Sequence, residues 1–268
     1  MAGGSFPADL CMVKATIQQI NNQTMTTYTL HKAASRGHAN HGWLNSYQSF
    51  SFAGYYNPER VHFGALRVLN DDVVEGGKGF GLHPHDNMEI ISIPLHGALE
   101  HKDNMGNTKV ISEGEVQVMS TGTGVFHSEY NHYPDKEAQF LQIWVFPNQL
   151  NVAPRYDQIT LPKDKMQNQL LNFISPTPGK EGTYIHQDAW FNMGIFTKAQ
   201  PINYTLQKEG NGIYAFVING SFTIDGRQLQ QRDALAIENA ATVNLVAESD
   251  EARILIIEVP MHPNKPVS

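Results

Sequence analysis

The chain has 268 residues, more than one compact core usually needs, so two modest domains or one large all-β unit are the starting expectations. Apolar residues make up 41% and charged residues only 17%, which excludes a disordered chain or a coiled coil. Nineteen basic residues against 26 acidic ones give a formal charge of −7; with no basic run, such a field repels phosphate backbones and argues against direct nucleic-acid binding. The single cysteine, Cys11, excludes an intramolecular disulfide framework or a Cys-rich metal site and suits a reducing compartment. No run approaches the ~18 apolar residues of a membrane span. Met1 to Lys14 lack the basic start and apolar run of a secretory signal. A cytoplasmic protein with no membrane partner is expected.

In chain order, residues 1–27 are expected to form an N-terminal arm. They are small and amide-rich (Gln18, Gln19, Asn21, Asn22, Gln23) and show no clear period, and Met25 is an alternative start. Apolar runs of strand length then follow, bounded by Gly and Pro: Leu66–Leu69, Glu89–Pro94, Glu115–Met119, Phe140–Phe146, Tyr214–Ile218, Ser221–Ile224 and Arg253–Val259. Short strands at this spacing argue for a sandwich or barrel. Helix is expected only locally, around Lys163–Leu171. Asp225-Gly226 marks a two-residue hairpin, because a type I′ turn needs positive φ at both positions.

A faint internal repeat divides the chain. Pro94-Leu95-His96-Gly97-Ala98-Leu99 resembles Val217-Ile218-Asn219-Gly220-Ser221-Phe222, and Phe140–Pro147 resembles Ile254–Pro260. Between the copies, Asn148 to Glu181 is polar and rich in Pro and Gln. We expect two similar β-domains, residues 28–150 and 151–268, joined there.

Ten of the twelve histidines lie between His31 and His132. The informative ones are His83-Pro84-His85 and, further on, His127-Ser128-Glu129. Residues i and i+2 of a strand point to one face, so two such pairs on facing strands would direct three imidazoles and a carboxylate at one point. Nitrogen ligands plus a carboxylate suit iron, manganese, cobalt, nickel, copper or zinc. Chance alone supplies about 0.5 His-x-His pairs in such a chain, so the pair by itself is a weak signal. Gly77, Gly124 and Glu89 strengthen it: the glycines as turns that set a strand pair, and Glu89 because it shares the parity of His83 and His85.

Those spacings resemble the two motifs of the cupin superfamily, small β-barrels that hold a metal. Arg36–Leu44, Phe50-Ser51-Phe52, Gly79–His85, Met88-Glu89-Ile90, Gly122-Thr123-Gly124, His127–Asn131 and Gln142-Ile143-Trp144 together resemble the pirin family, in its bacterial branch of quercetin 2,3-dioxygenases. The resemblance is dense from about Arg36 to Tyr156 and thin afterwards. It implies an all-β bicupin, two antiparallel jelly-roll-like barrels in tandem, with a metal in the N-terminal domain only. It carries the ligand roles onto His83, His85, His127 and Glu129, and leaves Glu89, the carboxylate of the general cupin pattern, as the alternative fourth ligand. The chain departs from the branch at Gln48-Ser49, at Pro94 and at Asn151, where glycine is usual.

The second copy lacks the ligands: the offsets of His83 and His85 fall on Leu206 and Lys208, and Asn244 to Ala247 contains no histidine. Other candidates carry less. His38 and His41 flank a Gly-Trp turn and are read as loop residues, with the mouth of the metal pocket as the alternative. His101 with Asp103 is expected to set a turn, and His132 to be exposed. Trp43, Trp144 and Trp190 are read as core aromatics. Gly76–Gly81 lacks the Gly-Lys-Ser/Thr ending of a phosphate cradle, and no Gly-x-Ser-x-Gly elbow occurs.

The resemblance implies a metal-dependent dioxygenase, Fe(II) being the first choice of ion. It would cleave the central ring of a flavonol such as quercetin with loss of carbon monoxide, and Glu129 would act as both ligand and base. Its partners are then a flavonol and dioxygen, and a monomer is expected. The alternative is a non-enzymatic metal- or redox-sensing protein that docks on a protein partner.

Overall fold

The computed structural model describes Met1, residues 25–177 and residues 182–262; most of the expected N-terminal arm, Cys11 included, lies outside them. The described chain is almost wholly extended and forms four sheets. A seven-stranded sheet runs, edge to edge, through Arg155–Thr160, Glu115–Ser120, Glu89–His96, Ala138–Val145, Leu66–Val74, Leu44–Gln48 and Gly37–Asn40. It faces a four-stranded sheet of Gly79–His85, Val125–Asn131, Ala98–Asp103 and Thr108–Ser112.

The second half repeats this order. Its seven-stranded sheet runs through Thr27–His31, Ala234–Glu238, Asn211–Asn219, Ala252–Pro260, Trp190–Phe196, Leu171–Ser175 and Thr183–Tyr184. The facing sheet holds Pro201–Thr205, Thr242–Ala247, Phe222–Ile224 and Arg227–Leu229. The sheets of each unit stay separate, so each unit is a jelly-roll-like sandwich and not a closed barrel. Every ladder is antiparallel except that between Leu171–Ser175 and Thr183–Tyr184.

Two edge strands cross the division placed at residue 150. Thr27–His31 pairs with Ala234–Glu238 of the second sheet, while Arg155–Thr160 covers Glu115–Ser120 of the first. Each covers backbone groups that an open sheet edge would leave unpaired.

The expected hairpin forms at Asp225-Gly226, with φ of 43° and 79°. The repeated glycines Gly97 and Gly220 sit at φ 74° and 71°, each turning the chain from its large sheet to its small one. The helix expected over Lys163–Leu171 is instead a single 3-10 turn, Lys163–Met166. No side chain caps its start, Asn168 turns left-handed at φ 55°, and the chain is a strand again from Leu171. No helix among the described residues is long and apolar enough to cross a membrane.

The largest apolar cluster lies between the two large sheets. Leu69, Ile91, Ile143 and Val145 of the first meet Phe191, Tyr214, Leu255 and Ile257 of the second. A central strand such as Glu89–His96 is therefore buried on both faces, which explains why its apolar residues do not alternate with exposed polar ones. The interiors of the two sandwiches differ. The second is filled by one continuous cluster that includes Phe196, Phe222, Val243 and Leu245. The first holds two small clusters, around Phe140 and around Ile90, with polar side chains between them.

Candidate metal centre

Within the first sandwich, the strands Gly79–His85 and Val125–Asn131 pair with His127 opposite His83 and Val125 opposite His85. Gly79 lets them approach, since a Cβ there would strike the backbone of Glu129 and Tyr130. The ring centroids of His83, His85 and His127 stand 4.4–5.0 Å apart, and one nitrogen from each lies within 4.8 Å of the others.

The hydrogen bonding of these rings is incomplete. His83 Nδ1 lies 2.7 Å from the Gly81 carbonyl; donating to it fixes the tautomer and leaves the Nε2 lone pair free. His85 Nε2 and both ring nitrogens of His127 are buried without a partner. A folded interior rarely leaves such groups unsatisfied. Burial, followed by the neighbouring His83 and His101 charges, lowers the His127 pKa to about 3. Burial, then His127 and His83, lowers that of His85 to about 4. Both rings are neutral near pH 7, the form that ligates, so the donor set fits a divalent transition metal.

A β-bulge between His127 and Glu129 re-aims the strand, and Glu129 pairs across from His101. The buried Glu129 carboxylate accepts from Ser92 Oγ at 3.1 Å and from Gln142 Nε2 at 3.2 Å. Ser92 Oγ is also 2.7 Å from Gln142 Oε1, so its one proton serves one of two acceptors at a time. Glu129 forms a second close triple with His127 and His101, again within 4.8 Å. His127 is the vertex shared by the two triples.

His101 is the residue that sequence reasoning missed. It is fully buried, its Nε2 is 3.0 Å from Asp103 Oδ2, and its Nδ1 has no partner. Asp103 does set the expected turn, accepting from the backbone of Met105 and Asn107. The alternation Leu99-x-His101-x-Asp103 was the available signal, since it puts all three side chains on one strand face.

Glu89 lies elsewhere. It shares a strand face with Ile91 and Ile93, which belong to the cluster between the two units, and Ser120 Oγ donates to it at 2.7 Å. Burial pushes its pKa up to about 7, against hydrogen bonds from Ser120 and the His186 backbone and the Arg155 charge. Counting parity from His85 does not reach it, because the turn at Asn87 (φ 47°) carries the chain from one sheet to the other.

Beside the centre is a cavity of about 700 Å³ whose walls include His41, Trp43, Phe52, Phe80 and Asp72. Of the two histidines read as loop residues, His41 lines the cavity, whereas His38 lies in the strand Gly37–Asn40 and stacks on Tyr47 at 4.6 Å, on the strand face away from Ser46 and Gln48. Phe52 packs on Trp144 at 5.4 Å, and Trp144 on His85 at 4.9 Å, so Trp144, which packs against the small apolar cluster of Ile90, Met119 and Val125, also borders this site. Asp72 has its pKa raised to about 7 by burial, with Asp71 and Glu129 adding to the effect and a Ser46 hydrogen bond opposing it. In the second sandwich the matching strands carry Ile202, Tyr204, Val243 and Leu245 into the apolar cluster.

Comparison with known proteins agrees with this architecture. The Pirin family model matches residues 29–145, and the model described as the quercetinase C-terminal cupin domain matches residues 172–259. A protein of Escherichia coli strain K12 named quercetin 2,3-dioxygenase is 40% identical over 231 residues, 86% of this chain and 98% of its own length. A pirin-like protein of Caulobacter vibrioides is 35% identical, over 82% of this chain and 94% of its own. The crystal structure of the bacterial pirin YhhW from Escherichia coli, in complex with nickel(II), superposes with a TM-score of 0.83 at 38% identity, covering 90% of this chain and 100% of that one. Two family matches in series, on two sandwiches of one strand order, leave a single assignment: the chain belongs to the pirin family of bicupins, in the branch whose members are named quercetin 2,3-dioxygenases.

Proposed function

We propose that this chain is a metal-dependent dioxygenase that cleaves the central ring of a flavonol such as quercetin, with release of carbon monoxide. The observation that carries the reading is the set of unpartnered imidazole nitrogens on His83, His85 and His127, one aromatic ring away from a cavity of about 700 Å³. The names of the relatives support it, as does the nickel(II) bound by a protein of the same fold. His83, His85, His127 and Glu129 would hold one divalent ion. Fe(II) is our choice from a donor set that manganese, nickel, cobalt, copper and zinc also accept. Such an ion would supply Lewis acidity toward a flavonol hydroxyl and the redox chemistry that dioxygen requires.

The residues of the chain do the rest. Glu129 takes the proton of the 3-hydroxyl at a carboxylate oxygen, and Ser92 and Gln142 hold that carboxylate in place. His83 keeps its orientation through Gly81. Trp144 packs edge-on against His85 and Phe52 edge-on against Trp144, and the two rings keep bulk water from the reacting ring.

Aerobic incubation of metal-reconstituted protein with quercetin, following flavonol absorbance and carbon monoxide, tests the reading. Turnover is expected to fall ~10²-fold or more in Glu129→Gln. It should disappear in His83→Ala together with the bound metal. A stoichiometric ion with no turnover for any first-row metal overturns the enzymatic reading in favour of a metal- or redox-sensing binding protein.

A further inference from the structure

The apolar seam between the two large sheets ends in a second cavity, of about 630 Å³. Its lining includes Leu161, Met166, Ile195 and Ile218, all members of the seam cluster. Two polar side chains continue the seam faces of their strands into it: Gln139 follows Leu141 and Ile143, and Arg253 follows Leu255 and Ile257. Arg232 lines it as well, from a turn where its φ of 67° is uncommon for a residue other than Gly or Asn.

The charges of this cavity are unbalanced at depth. Asp71 is the carboxylate that serves the arginines, accepting from Arg232 Nε at 2.8 Å, Arg36 at 3.3 Å and Gln139 Nε2 at 2.9 Å. Arg253 Nε donates to Met193 Sδ at 3.2 Å, a weak acceptor that offsets no charge. The terminal nitrogens of Arg232 and Arg253 have no hydrogen-bond or ion-pair partner among the described residues, yet none of them is sealed from solvent. The two groups also feel each other. Burial lowers the Arg253 pKa, Glu113 opposes this, and the Arg232 charge adds to it. Glu113 and Glu251 line the same cavity, but both are exposed and neither forms an ion pair with an arginine. The Arg232 side chain, by contrast, is 13% exposed.

Two guanidinium forks held together in a partly desolvated place favour a shared anion, and a carboxylate matches their planar, two-pronged geometry. A bare inorganic ion would leave most of this volume, and its apolar floor, unused. We propose that the cavity binds an organic carboxylate with an apolar body: Arg232 and Arg253 take the carboxylate, while Leu161, Met166 and Ile218 take the body. The proposal is independent of the flavonol reading, because this cavity lies on the seam face of the strand Ala138–Val145 and Gln142, beside Glu129, on the other.

The test is isothermal titration of the Co(II)-reconstituted full chain with cinnamate, its uncharged amide and inorganic phosphate. The visible spectrum of the Co(II) reports any carboxylate that reaches the metal instead. One cinnamate is expected to bind per chain with that spectrum unchanged. The amide and phosphate should each bind at least about 10-fold more weakly, the first for want of charge and the second for want of an apolar body. Arg253→Gln is expected to weaken cinnamate binding about 10-fold or more with metal content unaltered. Arg253→Lys, which keeps the charge and loses the fork, should weaken it at least about threefold, and it decides the matter if the glutamine variant does not fold. Absence of cinnamate binding, or an affinity that these substitutions leave unchanged, overturns the proposal. Binding that alters the Co(II) spectrum and survives Arg253→Gln places the anion on the metal and overturns it too. Phosphate that binds as tightly as cinnamate refutes the apolar body.

Discussion

Glu89 and Glu129 both sit in buried positions of the first unit, yet one faces the histidines and the other the seam between the two units. Their roles should separate by experiment. Glu89→Gln is expected to retain a full equivalent of metal by elemental analysis, whereas His127→Ala loses it. The same glutamate sets a pH dependence. Its folded pKa of about 7 lies above the ordinary 4.5, so the folded state favours the proton. That contribution is present below about pH 4.5 and is lost as pH rises through 7. Glu89→Gln should therefore match the wild-type melting temperature at pH 5 and exceed it at pH 8, by about 1–3 kcal/mol of stability. A variant that melts lower than wild type at pH 8 would show that a compensating charge holds the carboxylate. At this scale the His-x-His pair was legible because its spacing is a strand repeat. His101 was not, because a lone histidine on a strand shows its burial only when a second sheet closes over it. Gln48, visible as a departure from the resembled pattern, is placed among the residues that line the cavity only by the fold.

Elements explain two further departures from that pattern. Pro94 stands in a central strand, where a proline normally costs a ladder bond. It is tolerated because the ladder to Ala138–Val145 carries a bulge at Gln139/Phe140, opposite it, and the ladder to Glu115–Ser120 has ended by Ser92. Asn151 replaces a glycine at φ 57°, and asparagine is the residue that best tolerates that region. The edge strand Thr27–His31 was read from sequence as the end of an arm and the start of the first unit. Its place in the second sheet is set beyond the strand itself: Asp233 accepts from Lys32 Nζ at 2.8 Å and from the backbone of Ala33 and Gln230. Burial raises the Asp233 pKa, but these donors outweigh it and hold the carboxyl below its ordinary value. Its contribution is thus present above about pH 4 and lost as pH falls through the folded pKa. Asp233→Ala is expected to cost ~1–3 kcal/mol. Hydrogen exchange should accelerate first in Thr27–His31; uniform acceleration across both large sheets would refute a local anchor.

For the whole molecule, the decisive feature is that the largest apolar cluster belongs to neither unit alone. Ile257 lies in it, while Leu245 lies inside the second sandwich. Ile257→Ala is expected to cost ~2–5 kcal/mol and to lower one calorimetric transition that contains both units. Two transitions, with only the later half shifted, would mean that the units unfold separately. The amino-acid sequence alone determined the strand content, the doubled plan, the hairpin at Asp225 and the three histidines that meet, because period, turn chemistry and short-range spacing are local properties of a chain. The tertiary structure decided which face each glutamate takes, which sheet the first strand joins, and which imidazole nitrogens are buried without a partner. Those outcomes depend on how sheets stack and on the turns that move the chain between them, and a one-residue change in such a turn exchanges the two faces of everything that follows.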